Sequence, residues 1–143
     1  MIFDAQSLFS DAQAITADAA STNIIDFGAP GTPKHAAAAI TQDIGRGRPV
    51  PVRVQVVASF NTLTSLNVIV EVDNDVAFGS ATAVMTINVP LASLVAGYVL
   101  PVSYLPRGIN ERYMRVRYDV VGTDPTTGAI TAGLVFGNEE WSA

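Results

Sequence analysis

The chain has one histidine, His35. An imidazole could serve as general base to a serine, with an aspartate behind it. That chemistry needs a positioned nucleophile, and no GxSxG elbow is present. A lone loop histidine is far more often incidental. A histidine-based metal site needs further ligands at suitable spacing, and none is visible. Asp73-Asn74-Asp75 resembles the opening of a calcium loop. Its alternate spacing runs on only to Ala77, Gly79 comes later, and no glutamate closes the loop, so a turn is expected. Gly28 to Lys34 is glycine-rich but lacks the order of a phosphate-binding loop, and its prolines remove amide donors. Gly45-Arg46-Gly47-Arg48 could touch phosphate, but a net charge of −5 makes that a weak case. Glu71, Glu111, Glu139 and Glu140 would allow a glycosidase-type carboxylate pair, yet nothing in the sequence places two of them together in a cleft. The expectation is a protein that is not an enzyme and has no cofactor.

The elements that could position a binding surface are clearer. Residues 105–121 open with a turn at Pro106-Arg107-Gly108 and then alternate. Arg112, Met114, Val116, Tyr118 and Val120 fall on one side of a strand, and Tyr113, Arg115, Arg117, Asp119 and Val121 on the other. After its leading arginine, the first set reads as a core face. The second reads either as an ordinary solvated face or as a surface that meets something polar.

At 143 residues the chain fits one domain, large enough to bury roughly two-thirds of its unfolded surface. Charged residues are 15% and hydrophobic residues 49%, which argues against disorder. One lysine and seven arginines suit a protein interface, because guanidinium is weakly hydrated and bonds directionally, although base composition produces the same bias. An acidic chain has no general attraction for nucleic acid. Without cysteine, disulfides and thiolate chemistry are excluded. No segment approaches the roughly 20 apolar residues of a membrane-spanning helix. The first residues carry early acids and no basic region, so no secretory signal is expected.

Phe3, Leu8 and Phe9 suggest an N-terminal arm over 1–12, docked on its own core or on a neighbour. A single domain over 13–143 is expected to follow. Residues 13–27 read as one or two strands broken at Ser21-Thr22-Asn23, with helix open for the first half. Residues 28–50 hold four glycines and three prolines and read as an irregular loop, functional or mobile. Alternation marks strands near 52–59, 66–73 and 82–89. Pro90 to Gly97 is the best helical candidate. Tyr98 to Tyr104 reads as a short edge strand because of Pro101. A loop at 122–128 precedes a last strand at 129–136, with Ile130, Ala132, Leu134 and Phe136 on one face. About eight short strands and little helix predict an all-β, antiparallel, jelly-roll-like sandwich or barrel.

Three segments carry a family resemblance: LFSDAQAITADAASTNIIDFG at 8–28; PVRVQVVASF followed by EVDNDVAF in the middle; and LPRGINERYMRVRYDVVGTDPTTGAITAGLVFG at 105–137. In this order and spacing the chain resembles the capsid cement, or decoration, proteins of short-tailed phages of the Bordetella-phage type. The resemblance covers most of the chain, and its motifs are structural.

It implies a β-barrel or jelly-roll protein on the outer surface of an icosahedral phage head, made in the host cytoplasm. Its partners would be the major capsid protein and itself, as homodimer or homotrimer, with no nucleic acid or membrane. The expected contact residues are Phe3, Leu8 and Phe9 on the arm, Arg107 in the turn, and Arg112, Tyr113, Arg115 and Arg117 on the polar face. The alternative is a carbohydrate- or receptor-binding jelly roll, which would need exposed aromatics such as Trp141 and the tyrosines.

Overall fold

The computed structural model describes residues 3–137. Within that range, strands β1 (Phe3–Ala14), β8 (Ala129–Val135) and β4 (Val52–Ala58) form one sheet in the order β1-β8-β4. Strands β2 (Ala19–Ala20), β7 (Tyr113–Gly122), β5 (Leu63–Asp73) and β6 (Thr82–Pro90) form the second in that order. A short β3 (Ile25–Asp26) also pairs with β7, along the edge that β2 occupies. Every pairing is antiparallel. The fold is all-β, a sandwich of two antiparallel sheets, as the alternation predicts.

The core lies between the sheets because each strand turns every second side chain inward. Val52, Val54 and Val56 of β4 and Ile130 and Ala132 of β8 face Leu66, Val68, Val70 and Val72 of β5 and Met114, Val116 and Tyr118 of β7. Tyr118 is the largest fully buried side chain. Its hydroxyl lies 2.8 Å from Ser10 Oγ on β1, so one hydrogen bond joins the two sheets through the core. Ser10 in turn donates to Gln13 Oε1 at 2.7 Å, and Gln13 Nε2 donates to the Ala20 carbonyl. Burial without a strong acceptor pushes the Tyr118 hydroxyl well above its ordinary pKa, and the bond to Ser10 only partly opposes this.

Several sequence-based boundaries move. The expected arm is strand β1 from Phe3 onward, and the division at residue 12 falls inside it, where a bulge turns the chain while pairing with β8 continues. Helix is absent from 13–27 because its two short strands cap the edge of β7. The helical candidate is a single 3-10 turn, Leu91–Ser93, since Pro90 still pairs with Ser65 and too few residues remain for two turns. Residues 98–104 run beside β4, with Leu100 N donating to the Val54 carbonyl at 2.9 Å and Val52 N to that of Ser103 at 3.0 Å. They make only isolated bridges, because Pro101 has no amide to continue the ladder. Strand β8 stops at Val135, so Phe136 leaves the expected core face and is 93% exposed.

Residues 28–50 form no strand, as expected, but they are held at one point. Asp43 accepts hydrogen bonds from the Gly45 amide at 3.0 Å and the Gly108 amide at 3.0 Å, and Ile44 N donates to the Ile109 carbonyl. The approach is close enough that a Cβ on Gly45 would collide with the Pro106 carbonyl, so only glycine fits. Burial pulls the Asp43 pKa upward, but the Gly108, Gly45 and Ile109 amides and Arg46 outweigh it and hold the carboxyl below its ordinary value.

Two expectations follow. Tyr118→Phe should lower unfolding stability by about 1 kcal/mol in urea titrations, with the far-ultraviolet spectrum unchanged, since one net hydrogen bond is lost. A depressed folded pKa gives Asp43 a contribution that is complete above its unfolded pKa and lost as pH falls through the folded value. The melting-temperature gap between wild type and Asp43→Asn should therefore stay constant from about pH 7 to about pH 4 and narrow below.

Candidate interaction surface

The polar face read from 112–121 is the outer face of the second sheet, and it is largely closed on itself. Register sets Arg115 opposite Glu71, Arg117 opposite Ile69 and Tyr113 opposite Asp73. The Glu71 side chain is only 6% exposed. Arg115 Nε donates to Glu71 Oε1 at 2.5 Å, and Arg117 Nε stands 3.6 Å from Glu71 Oε2. Arg117 Nη2 donates to Asp119 Oδ2 at 3.0 Å. The Arg115 guanidinium also lies 4.1 Å from the centre of the Phe78 ring, a cation–π contact. Phe78 arrives from the β5–β6 loop, which the nearly buried Asp73 closes by accepting from the Asp75 and Ser80 amides and the Ser80 hydroxyl. The Asp75 amide lowers the Asp73 pKa most, against the upward pull of burial. Asp73-Asn74-Asp75 is thus a turn whose carboxylate is already engaged.

Arg112 leads the core-facing set in sequence but does not enter the core. It lies before β7 and forks onto Asp26, with Nε to Oδ1 at 2.8 Å and Nη2 to Oδ2 at 2.9 Å. That side-chain bond, with the Gly28 amide second, brings the Asp26 pKa down to about 2. The same guanidinium lies 5.0 Å from the Tyr113 ring centre.

The arm residues separate. Phe9 is fully buried in the core and offers nothing to a partner. Leu8 points to the opposite face of β1, over Gly133, where an added Cβ would meet it at 3.0 Å. Phe3 is half-buried and pairs with Val135. Arg107 is exposed. Of the expected contact residues, Tyr113, Arg115 and Arg117 share the outer face of the second sheet, with Arg112 beside Tyr113, whereas Leu8 lies on the other sheet and Phe9 in the core; Arg112, Arg115 and Arg117 have acidic partners within the chain. Glu139, Glu140 and Trp141 lie outside the described residues.

Another surface is more open. Ala29 to Thr41 are all exposed and form a finger, closed where the Ile40 amide donates to the Gly31 carbonyl at 2.9 Å. His35 sits in its tip at φ +67°. The alanine run 36–39 and Ile40, 55% exposed, are left exposed among the described residues. The Asp43 latch fixes the finger's base to the 106–109 turn. Beside it an open cavity of about 500 Å³ is lined by Thr41, Gln42, Asp43, Arg46 and Asn110. Val76 at 57%, Tyr104 at 54% and Phe136 share this end of the sandwich. Sequence reading marked the loop as irregular, and its HAAAAI run was the available signal for exposed apolar surface.

Among the described residues, then, two β-sheets carry a self-paired polar face and an end built of exposed loops. The chain belongs to the Bbp16 family, a Bordetella phage protein family, whose model matches residues 9–136. It is a phage protein by that membership. No curated protein matches it. No helix of the described residues is long and apolar enough to cross a membrane.

Replacing Arg115 by Ala would leave the Glu71 carboxylate nearly buried with only the distant Arg117. A loss of about 2–3 kcal/mol in unfolding stability is expected. Adding Glu71→Gln should recover part of it in the same denaturation assay, because a neutral amide costs less to bury than a charge.

Proposed function

We propose that this phage protein is a capsid cement protein, one that binds the outer surface of an icosahedral head and clamps neighbouring capsomers against internal DNA pressure. It acts by binding and not by catalysis. Its partners in this reading are the major capsid protein and further copies of itself, as a homodimer or homotrimer, on the outer face of the virion. The observation that carries the reading is the finger: a chain of this phage family exposes an apolar run on a loop latched firmly at its base. A loop that served only to connect β3 and β4 would gain nothing from such an anchor, and long loops in compact domains are usually functional or disordered.

The clamp is physical. An oligomer that engages several capsid subunits gains effective concentration at each further contact, so every copy needs only a modest interface. Roughly 1,000 Å² or more of buried surface per site suffices for stable docking. Because the protein binds the assembled shell and not its separated subunits, binding shifts the assembly equilibrium toward the shell. The two-sheet core keeps its shape during this, so load passes from one capsomer to the next through a rigid body.

Density-gradient fractionation of an infected-cell lysate, with mass spectrometry of each fraction, checks this. The chain should band with particles in fixed ratio to the major capsid protein, and heads stripped of it should rupture at lower temperature. Recovery only in the soluble fractions would refute the reading.

A further inference from the structure

The register of the strands places every loop at one of two ends. The finger and its base, the start of β4, the β5–β6 loop and the 103–112 segment share one end, because β4, β6 and β7 begin there and β5 and β8 finish there. The 15–18, 59–62, 91–97 and 122–128 segments share the other. The charges divide in the same way. Lys34, Arg46, Arg48, Arg53 and Arg107 all belong to the finger end, while the four segments of the opposite end contain no lysine or arginine and carry Asp18 and Asp124.

Apart from Arg112, the cations of the finger end have no close acidic partner among the described residues. Arg112, Arg115 and Arg117 are held by Asp26, Glu71 and Asp119. Arg46 makes only a loose contact of 3.4 Å with Asp43 and keeps 74% of its side chain exposed. Arg48 and Arg107 are exposed and have no ion pair with a described residue. The backbones that carry Arg46 and Arg107 meet, because Gly45 packs directly on Pro106 and the Arg107 backbone, and Arg48 follows two residues after Arg46. The acids nearest this end are largely engaged: Asp26 by Arg112, and Asp43 and Asp73 by backbone amides. Asp4, Asp75 and Glu111 are the remaining carboxylates there among the described residues. The cations of this end are matched in number by its carboxylates, so it is not basic in net charge, but it exposes Arg48 and Arg107 without an ion pair to a described residue, beside the Ala36–Ile40 run.

We infer that this finger end is the docking surface, and that its partner is a protein surface rich in carboxylates, with a shallow apolar recess for the Ala36–Ile40 run. The inference rests on the head-binding reading and names the face and the partner chemistry for it. Arginine is the cation best fitted to this task, since its fork matches a carboxylate and its weak hydration lowers the cost of burial in an interface. The alanines permit close approach of backbone to partner, and Ile40 supplies the larger apolar contact. Phosphates offer the same charge, but the overall negative charge opposes a polyanion at long range, where a protein surface presents only a local patch. The opposite end, acidic and lacking lysine and arginine, is repelled from the same partner, which orients the molecule.

Two measurements on the full chain test this. A photo-crosslinking residue is placed at Ala38 or, as control, at Val121, and the chain is produced during infection. Particle and soluble fractions are irradiated and the crosslinked peptides mapped. Crosslinks from Ala38 to an acidic segment of a head protein support the inference. Crosslinks from Val121 alone, from Ala38 to a second copy of this chain, or from Ala38 to nucleic acid overturn it, while particle association still upholds the cement role. A chain absent from particles removes the cement role; an Ala38 crosslink to an acidic protein in the soluble fraction would still support this face, and none would overturn it. In the second measurement, Arg46→Glu/Arg48→Glu/Arg107→Glu should fold, as judged by circular dichroism, and lose about tenfold or more in particle retention at about 0.15 M salt. Wild-type retention should fall as salt rises. Retention unchanged by charge reversal would overturn the charge-based partner assignment.

Discussion

Strand β5 is buried on both faces, and most of the molecule follows from that. Its inward side chains, Leu66, Val68, Val70 and Val72, fill the space between the sheets. Its outward side chains include Ile69, Glu71 and Asp73, each less than a tenth exposed. An outward-facing carboxylate that is nonetheless desolvated must be paired, because an isolated buried charge is far costlier than a satisfied one. Glu71 is therefore met by Arg115 and Arg117 from β7, Asp73 by the amides of its own loop, and Phe78 folds over the top. The second sheet needs no further layer to cover its centre.

This closure decides what the protein can offer to others. Arginines whose guanidinium groups already hold internal carboxylates have part of their charge and of their donors committed within the chain. The open chemistry is displaced to the loops at one end, where the chain runs through glycine and proline and no strand competes for its side chains. The Asp43 latch makes that end a fixed feature, because it ties the finger's base to the turn leading into β7. A phage protein built this way has a rigid two-sheet body, a neutralised flank and one end with unsatisfied apolar and cationic groups.

Much of the fold was legible in the residues. The alternation in 52–58, 66–73 and 112–121 marks strands because burial of every second side chain leaves a period of two. Pro101 marked 98–104 as a short edge strand; the segment does run along the edge of β4, but it makes only isolated bridges and forms no strand. Less legible was anything set by a partner strand. Phe3, Leu8 and Phe9 marked 1–12 as an arm docked on its own core or on a neighbour; pairing with β8 makes it a strand from Phe3 onward and puts Phe9 in the chain's own core. Phe136 continued the apolar alternation of β8, but the strand had already ended. The polar face could be read either as a solvated face or as a contact surface, since a sequence lists arginines without the acids they will meet: Glu71 is 44 residues from Arg115, and Asp26 is 86 from Arg112.

The sequence by itself determined the class of fold, the positions of the inward side chains and the irregularity of 28–50, because these depend on local periodicity and on the backbone limits of glycine and proline. Tertiary structure decided which charges remain free. An ion pair or an amide latch depends on register between strands and on loops far apart in the chain. Arg115 and Arg107 have the same side chain and stand eight positions apart, yet one is bound to a buried carboxylate and the other faces solvent. Only the folded chain fixes the distances on which the electrostatic energy depends.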